Sequence, residues 1–330
     1  MRDLNALSLQ DLFDAMSCAD AARAIAQSAA LEDLGPQRLD VTSDALLPAG
    51  DMKSGQFVAR EAGVVAGLNV LPTIIAAFSD APKFTMLAND GDRVEPGSAV
   101  AELSGDCRNL LAIERTALNT LNRLSGIATT TSRYVDAASN ANRTTPVRIC
   151  DTRKTTPGWR SLEKYAVRCG GGWLHRIGLF DAMLVKDNHL AALPEDSRYE
   201  QLAEAIRRAR QAHDLRFVEV EVDSLDQLRA LLHFESGLVD IVLLDNMNAA
   251  TLSQAVQLRD ESGSPMQLEA SGGVSLEDIP TFAATGVDRI SIGALTHSSG
   301  SLDFGFDLDE APVSGSQSPQ ATAPANPAQQ

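Results

Sequence analysis

Six apolar runs of strand length recur between residues 147 and 292, and polar residues follow each of them. They are "VRIC" (147–150), "AMLVK" (182–186), "FVEVEV" (217–222), "DIVLL" (240–244), "MQLEA" (266–270) and "DRISI" (288–292). Helical periodicity fills most of the gaps, as in "YEQLAEAIRRARQAH" (199–213), "SLDQLRALLHF" (224–234), "MNAATLSQAVQLRDES" (247–262) and "SLEDIPTFAATG" (275–286). Strands alternating with helices at this spacing call for an α/β domain with a parallel sheet. Six strands in about 145 residues fall short of the ~200–250 of a closed eight-stranded barrel, so an incomplete barrel or an open sheet remains.

The preceding half has another texture. Leu9, Leu12, Phe13, Met16 and Ala19 recur at helical spacing within residues 8–32, which predicts one or two opening helices. Gly35, Pro36, Pro48 and Gly50 break the pattern. "GQFVAR" (55–60), "GVVAG" (63–67), "KFTMLA" (83–88) and "SAVAELSG" (98–105) read as short strands, with a helix over 69–78. A small β-rich α+β layer over roughly 50–105 is expected. Residues 109–139 read as one long helix, with Ser125-Gly126 as a place where it ends or bends. Arg115, Asn119 and Asn122 share one face of it. The last twenty residues carry no charge and no large apolar side chain, a composition that predicts disorder for 311–330.

Several function classes are excluded. The formal charge is −16 and the aromatic content 5%, opposite to a nucleic-acid footprint. The N-terminus does not read as a signal peptide, and no run of 18 apolar residues occurs. Cys18, Cys107, Cys150 and Cys169 are scattered, which predicts reduced thiols in a cytoplasmic protein.

The chemistry lies at the strand ends, where α/β folds bind ligands. Arg153 and Lys154 follow the first strand, and Lys186 ends the second. The third carries Glu219 and Glu221 on one face, and the fourth is followed by Asp245-Asn246. Ser271-Gly272-Gly273 follow the fifth, and Gly293 and His297 the sixth. Residues 151–190 hold seven Arg/Lys against four Asp/Glu in an otherwise acidic chain. Together these cations predict an anionic ligand, although each alone also reads as solvated, and Lys164 and Arg168 read as surface. "SGGV" (271–274), before a helix expected to start at Ser275 with Asp278 at capping-box spacing, predicts a phosphate cradle. Glu221 and Asp245 suit either Mg²⁺ shared with a substrate pyrophosphate or pairing with nearby cations. His175, His189 and His297 form no spaced zinc motif.

"ERTALNTLNRLSGIAT" (114–129), "DTRKTTPGWR" (151–160), "KYAVRCGGGWLHRIGLFDAMLVKDNH" (164–189), "VEVEVDSLDQL" (218–228), "LLDNM" (243–247), "LEASGGV" (268–274) and "TGVDRISIGALTHS" (285–298) closely resemble quinolinate phosphoribosyltransferases. The resemblance spans about Glu32 to Phe306. It implies an N-terminal α/β sandwich over 1–125, joined by the segment 294–310, and an open, incomplete α/β barrel over 126–293. It implies a homodimer in which the N-terminal domain of one subunit covers the barrel mouth of the other. The implied substrates are quinolinate and 5-phosphoribosyl 1-diphosphate. By resemblance Arg115 (from the partner), Thr152, Arg153, His175, Arg176 and Lys186 belong to the substrate pocket, most of them on quinolinate. Lys154 would meet the phosphoribosyl substrate. Glu221 and Asp245 would hold the ribose hydroxyls and Mg²⁺, with Lys154, Glu221 and Asp245 as the catalytic set. Ser271, Gly272, Gly273, Gly293, Ala294 and His297 would bracket the 5′-phosphate. One departure is Leu174, where the family usually has Asn; altered packing is expected there. Two other readings compete: a related phosphoribosyltransferase acting on a different acid, and a non-catalytic barrel that binds a phosphorylated metabolite.

Overall fold

The computed structural model describes residues 3–139 and 146–309, so the tail at 311–330 lies outside the described residues. The chain opens with helices α1 (Leu9–Ala15), α2 (Cys18–Leu34) and α3 (Val41–Leu46). The next elements are β1 (Met52–Ala59), β2 (Gly63–Val64), α4 (Leu71–Phe78), β3 (Lys83–Met86), β4 (Arg93–Val94) and β5 (Ala99–Asp106). Helix α5 (Cys107–Ser139) leads into β6 (Arg148–Cys150), α6 (Arg160–Cys169), β7 (Met183–Val185), α7 (Asp187–Ala191), α8 (Arg198–Ala212) and β8 (Val218–Val222). The last elements are α9 (Leu225–Leu232), β9 (Ile241–Asp245), α10 (Ala249–Ser262), β10 (Gln267–Ser271), α11 (Ile279–Ala284), β11 (Arg289–Ser291), α12 (Ala294–His297) and β12 (Phe304–Leu308).

All six strand-length runs form one parallel sheet in the order β6-β11-β10-β9-β8-β7. Helices cover it, as expected for parallel strands. Among the described residues β6 has only an isolated parallel bridge beyond it, between Cys150 and Trp173, so the barrel stays open there. The second sheet is antiparallel, in the order β12-β1-β5-β3. Its edge strand β12 comes from the far end of the chain and pairs Gly55 with Leu308 through Ala59 with Phe304.

Helix α5 ties the two layers together. Leu110, Ile113, Ala117 and Leu121 pack with Phe57, Val100 and Leu103 of the antiparallel sheet. Leu124, Ile127 and Ala128, further along, pack in the barrel core. The helix continues through Ser125-Gly126, which do not end it. Ser125 and Gly126 serve contact instead. Ser125 Oγ accepts the Ala66 N–H at 2.9 Å and donates to its carbonyl at 3.1 Å. A Cβ on Gly126 would lie 2.0 Å from the Gly300 carbonyl oxygen, so glycine lets the returning chain cross the helix.

Two expectations are corrected. The helix placed at Ser275 starts at Ile279; Asp278 instead accepts the Ser275 N–H at 3.0 Å and its hydroxyl at 2.7 Å, closing a turn. Lys164 is not a surface residue: it is fully buried and donates to Asp151 at 2.7 Å.

Candidate active site

A cavity of about 900 Å³ lies at the carboxyl ends of the barrel strands. Every predicted site residue lines it except Arg115: Thr152, Arg153 and Lys154 after β6, His175 and Arg176, Lys186 after β7, Glu221 on β8 and Asp245 on β9. Ser271, Gly272 and Gly273 close it after β10, and Gly293, Ala294 and His297 after β11. Arg115 sits on α5, exposed and outside its own chain's cavity.

One end is cationic. Among the described residues neither Arg153 nor Arg176 has an acidic partner within ion-pair distance. Arg153 Nε is buried with no hydrogen-bond partner. Burial, and then the charge of Arg153, pull the pKa of Arg176 below its ordinary value. Two neighbouring guanidinium groups without a counterion leave a place for an anion.

The surrounding chain holds this end rigid. Asp151 Oδ1 accepts both Lys164 Nζ and the His175 N–H, at 2.7 and 2.8 Å. Asp181 accepts the N–H groups of Ile177 and Gly178, both at 2.9 Å, and pairs with Arg216 at 3.0 Å. Arg160, which had no predicted ligand, donates Nε to Thr155 Oγ1 at 3.0 Å and so braces the loop that carries Arg153.

Behind the arginines lies a charged layer, of which the sequence reading named His175 and Glu219 but not Glu269 or Arg289. His175 Nε2 is 2.7 Å from Glu219 and 3.3 Å from Glu269, while Arg289 Nε donates to Glu269 at 2.6 Å. All four side chains are buried. The signal was present in the alternation of β8, which puts Glu219 on the same face as Glu221; that face is the barrel interior. Burial alone would depress the His175 pKa, but Glu219 and Glu269 outweigh it and raise it to about 9. In the neutral ring Nδ1 accepts the Arg176 N–H at 2.8 Å, which leaves the proton on Nε2, facing the carboxylates; the imidazolium gives up that bond, because both of its nitrogens are donors. Glu269 is penalised by burial, yet His175 and Arg289 push it down to about 2. The three ligand-type groups here lie within 4.8 Å of one another. Arg289 already supplies the charge that a metal would bring.

Glu221 and Asp245 line the cavity, as does Glu269 of the buried layer. Lys186 pairs with Glu221. Burial and then the charge of Glu221 raise the Asp245 pKa. Two carboxylates that repel one another in a partly buried site are a donor set suited to a hard divalent cation.

The other end is a backbone cradle. Gly272 and Gly273 have φ of 103° and 60°, a left-handed pair that favours glycine. A Cβ on Gly272 would lie 2.2 Å from Asn246 Oδ1. Gly293 has an ordinary φ of −67°, but a Cβ there would lie 2.8 Å from Lys154 Cδ and 3.1 Å from His297 Nε2. Its bareness gives those two side chains room. Leu174 is buried, and its backbone is bonded on both sides by the amide of Asn5, at 2.7 and 3.0 Å.

Room for two anionic groups, one at the arginines and one at the glycines, defines an enzyme of group transfer between charged substrates. The profile described as "Quinolinate phosphoribosyl transferase, C-terminal domain" matches residues 127–307, and that of the N-terminal domain matches 40–125. A nicotinate-nucleotide pyrophosphorylase [carboxylating] of Mycobacterium leprae is 44% identical over 291 residues, 88% of this chain and 98% of its own length. A probable one of Bacillus subtilis is 39% identical over 280 residues, 84% of this chain and 90% of its own. The solved nicotinate-nucleotide pyrophosphorylase of Francisella tularensis superposes with a TM-score of 0.79 at 32% identity, covering 94% of this chain and 100% of that one. The chain belongs to the quinolinate phosphoribosyltransferase family, a family of pentosyltransferases.

Proposed function

We propose that this cavity joins quinolinate to 5-phosphoribosyl 1-diphosphate, giving nicotinate mononucleotide, pyrophosphate and CO₂ for NAD biosynthesis. The observation that carries the substrate assignment is the arginine pair Arg153 and Arg176, half-buried and buried, neither with an acidic partner within ion-pair distance among the described residues. Quinolinate is a dicarboxylate, and guanidinium forks bind carboxylates bidentately. His175, held by Asp151 through its N–H, flanks the pair. Lys154 and the glycines at 272, 273 and 293, with Ser271, Ala294 and His297, take the phosphorylated sugar.

The chain's own part is positioning and charge. The pyridine nitrogen attacks C1′ of the ribose as pyrophosphate leaves, and Lys154 stabilises the departing charge. The ring nitrogen is then cationic and stabilises the carbanion left at C2 as CO₂ departs; a proton replaces it. Thr152 and the hydrogen-bonded loop around it hold the acceptor in line. Glu221 and Asp245 bind the ribose hydroxyls and would hold Mg²⁺, which when bound adds positive charge beside the leaving pyrophosphate.

The same reading includes a cytoplasmic homodimer. Exposed Arg115 supports it, as a residue serving a neighbouring subunit's cavity must face outward. Leu31, Val41 and Leu46 in the N-terminal layer, and Leu179 and Phe180 beside Arg176, are large apolar side chains left exposed. Such patches suit a subunit interface. No helix among the described residues is long and apolar enough to cross a membrane. All four cysteines are buried and unpaired, as suits a reducing compartment. Equilibrium titration with quinolinate tests the reading. Saturable binding, much tighter than that of nicotinate with its single carboxylate, is expected; equal affinity for the two would remove the dicarboxylate assignment.

A further inference from the structure

The amino ends of the barrel strands enclose a second cavity, of about 480 Å³, on the far side of the charged layer. Arg148 opens β6 and Arg289 opens β11, and the two are register partners on neighbouring parallel strands. Both line this cavity. The Arg148 guanidinium lies 4.3 Å over the Trp173 ring, and its hydrogen bond to Gln267 Oε1 is long, at 3.4 Å. Among the described residues it has no acidic partner within ion-pair distance. Arg289 is only 6% exposed, and one of its terminal nitrogens is buried with no hydrogen-bond partner.

The other charges of the wall are already met. Arg216 is paired with Asp181, and Asp240 with Arg210, at 3.0 and 2.5 Å. Asp3, at the rim, is exposed. Phe217 and Ile241 supply apolar surface, packed with Ala182 in a small cluster of their own. Both guanidinium groups line the same cavity with donors to spare, and an oxyanion there would accept from both. The volume lies within the range of small-molecule sites.

We propose that this floor cavity binds a small oxyanion, a phosphate or a carboxylate, bridged between Arg148 and Arg289. The site is separate from the transferase cavity and is not needed for the proposed reaction. Arg289 is the side chain common to both regions, since it also neutralises Glu269.

Trp173 is the reporter. Trp159 is the only other tryptophan, so the Trp159→Phe protein reports Trp173 alone. Inorganic phosphate and benzoate are titrated separately at constant ionic strength. A saturable change in Trp173 emission is expected for at least one of them. Loss of a bidentate guanidinium contact by Arg148→Met should weaken it by about tenfold or more. Arg148→Lys keeps the charge and loses the fork, so it carries the same expectation of weakening should the methionine variant fail to fold. The probe with the lower midpoint identifies the ligand as phosphate or carboxylate. No saturable change with either probe up to about 100 mM, which corresponds to negligible affinity, overturns the proposal. So does a change that is the same in the Arg148 variants.

Discussion

Lys164 Nζ donates to Asp151 Oδ1 at 2.7 Å, and neither side chain is exposed to solvent. The same oxygen holds the His175 N–H. One carboxylate therefore joins the end of β6, helix α6 and the loop that carries His175 and Arg176. Burial pulls the Lys164 pKa below its ordinary value, and Asp151 acts against that. Asp151 Oδ2 already lacks a hydrogen-bond partner. Lys164→Met would leave the Asp151 charge buried with only the His175 N–H on it, and breaking a buried pair costs roughly 3–5 kcal/mol. Chemical denaturation measures this. A loss under about 1 kcal/mol, the range of exposed pairs, would show that the pair is not buried as described.

Arg153 and Arg176 invert that logic. They are neighbouring like charges with no acidic partner within ion-pair distance among the described residues, so removing one relieves their mutual repulsion. Arg153→Ala or Arg176→Met should leave the melting temperature unchanged or higher. Quinolinate affinity should fall on the order of a hundredfold, as expected when a desolvated charge contact is cut. Titration calorimetry and thermal denaturation read the two effects separately; unchanged affinity would take the residue out of the pocket.

The charged layer predicts a pH signature. The His175 pKa is raised to about 9 by Glu219 and Glu269 against burial. A histidine raised in the folded state adds stability that is complete below its unfolded pKa, ~6.5. That contribution is lost as pH rises through about 9. Replacement by Gln should therefore reduce the decline in stability between these two values. Imidazole NMR provides the direct check, and titration of His175 below its ordinary value would contradict the assignment.

Gly293→Ala isolates the cradle. The backbone φ of −67° accepts alanine, so folding should be unaffected. The new Cβ would lie 2.8 Å from Lys154 Cδ and displace a flexible side chain. The KM for the phosphoribosyl substrate should rise about tenfold, the equivalent of ~1.4 kcal/mol, with little change for quinolinate. Equal rises for both substrates would mean that Gly293 supports the whole cavity.

Most of this cavity was legible in sequence because the polar residues end strands. Strand ends in a parallel α/β barrel converge, so Arg153, Lys186, Glu221, Asp245 and Ser271 had to meet once the strands were recognised. Glu269 and Arg289 were passed over because they lie within strands, where a charged side chain reads as solvent-facing unless the barrel interior is known. Lys164 looked like surface for a related reason: only its distant partner, Asp151, makes burial tolerable. The part Gly126 plays was not legible, because the Gly300 segment that crosses it comes from 174 residues further along the chain.

The central claim is that one cavity receives both a dicarboxylic pyridine and a phosphoribosyl donor. Incubation with quinolinate, 5-phosphoribosyl 1-diphosphate and Mg²⁺, with nucleotide and CO₂ measured together, tests it most directly. Nicotinate mononucleotide and CO₂ should form in equal amounts and depend on both substrates. A folded protein that forms neither, or that makes the nucleotide from nicotinate and not from quinolinate, would contradict the account.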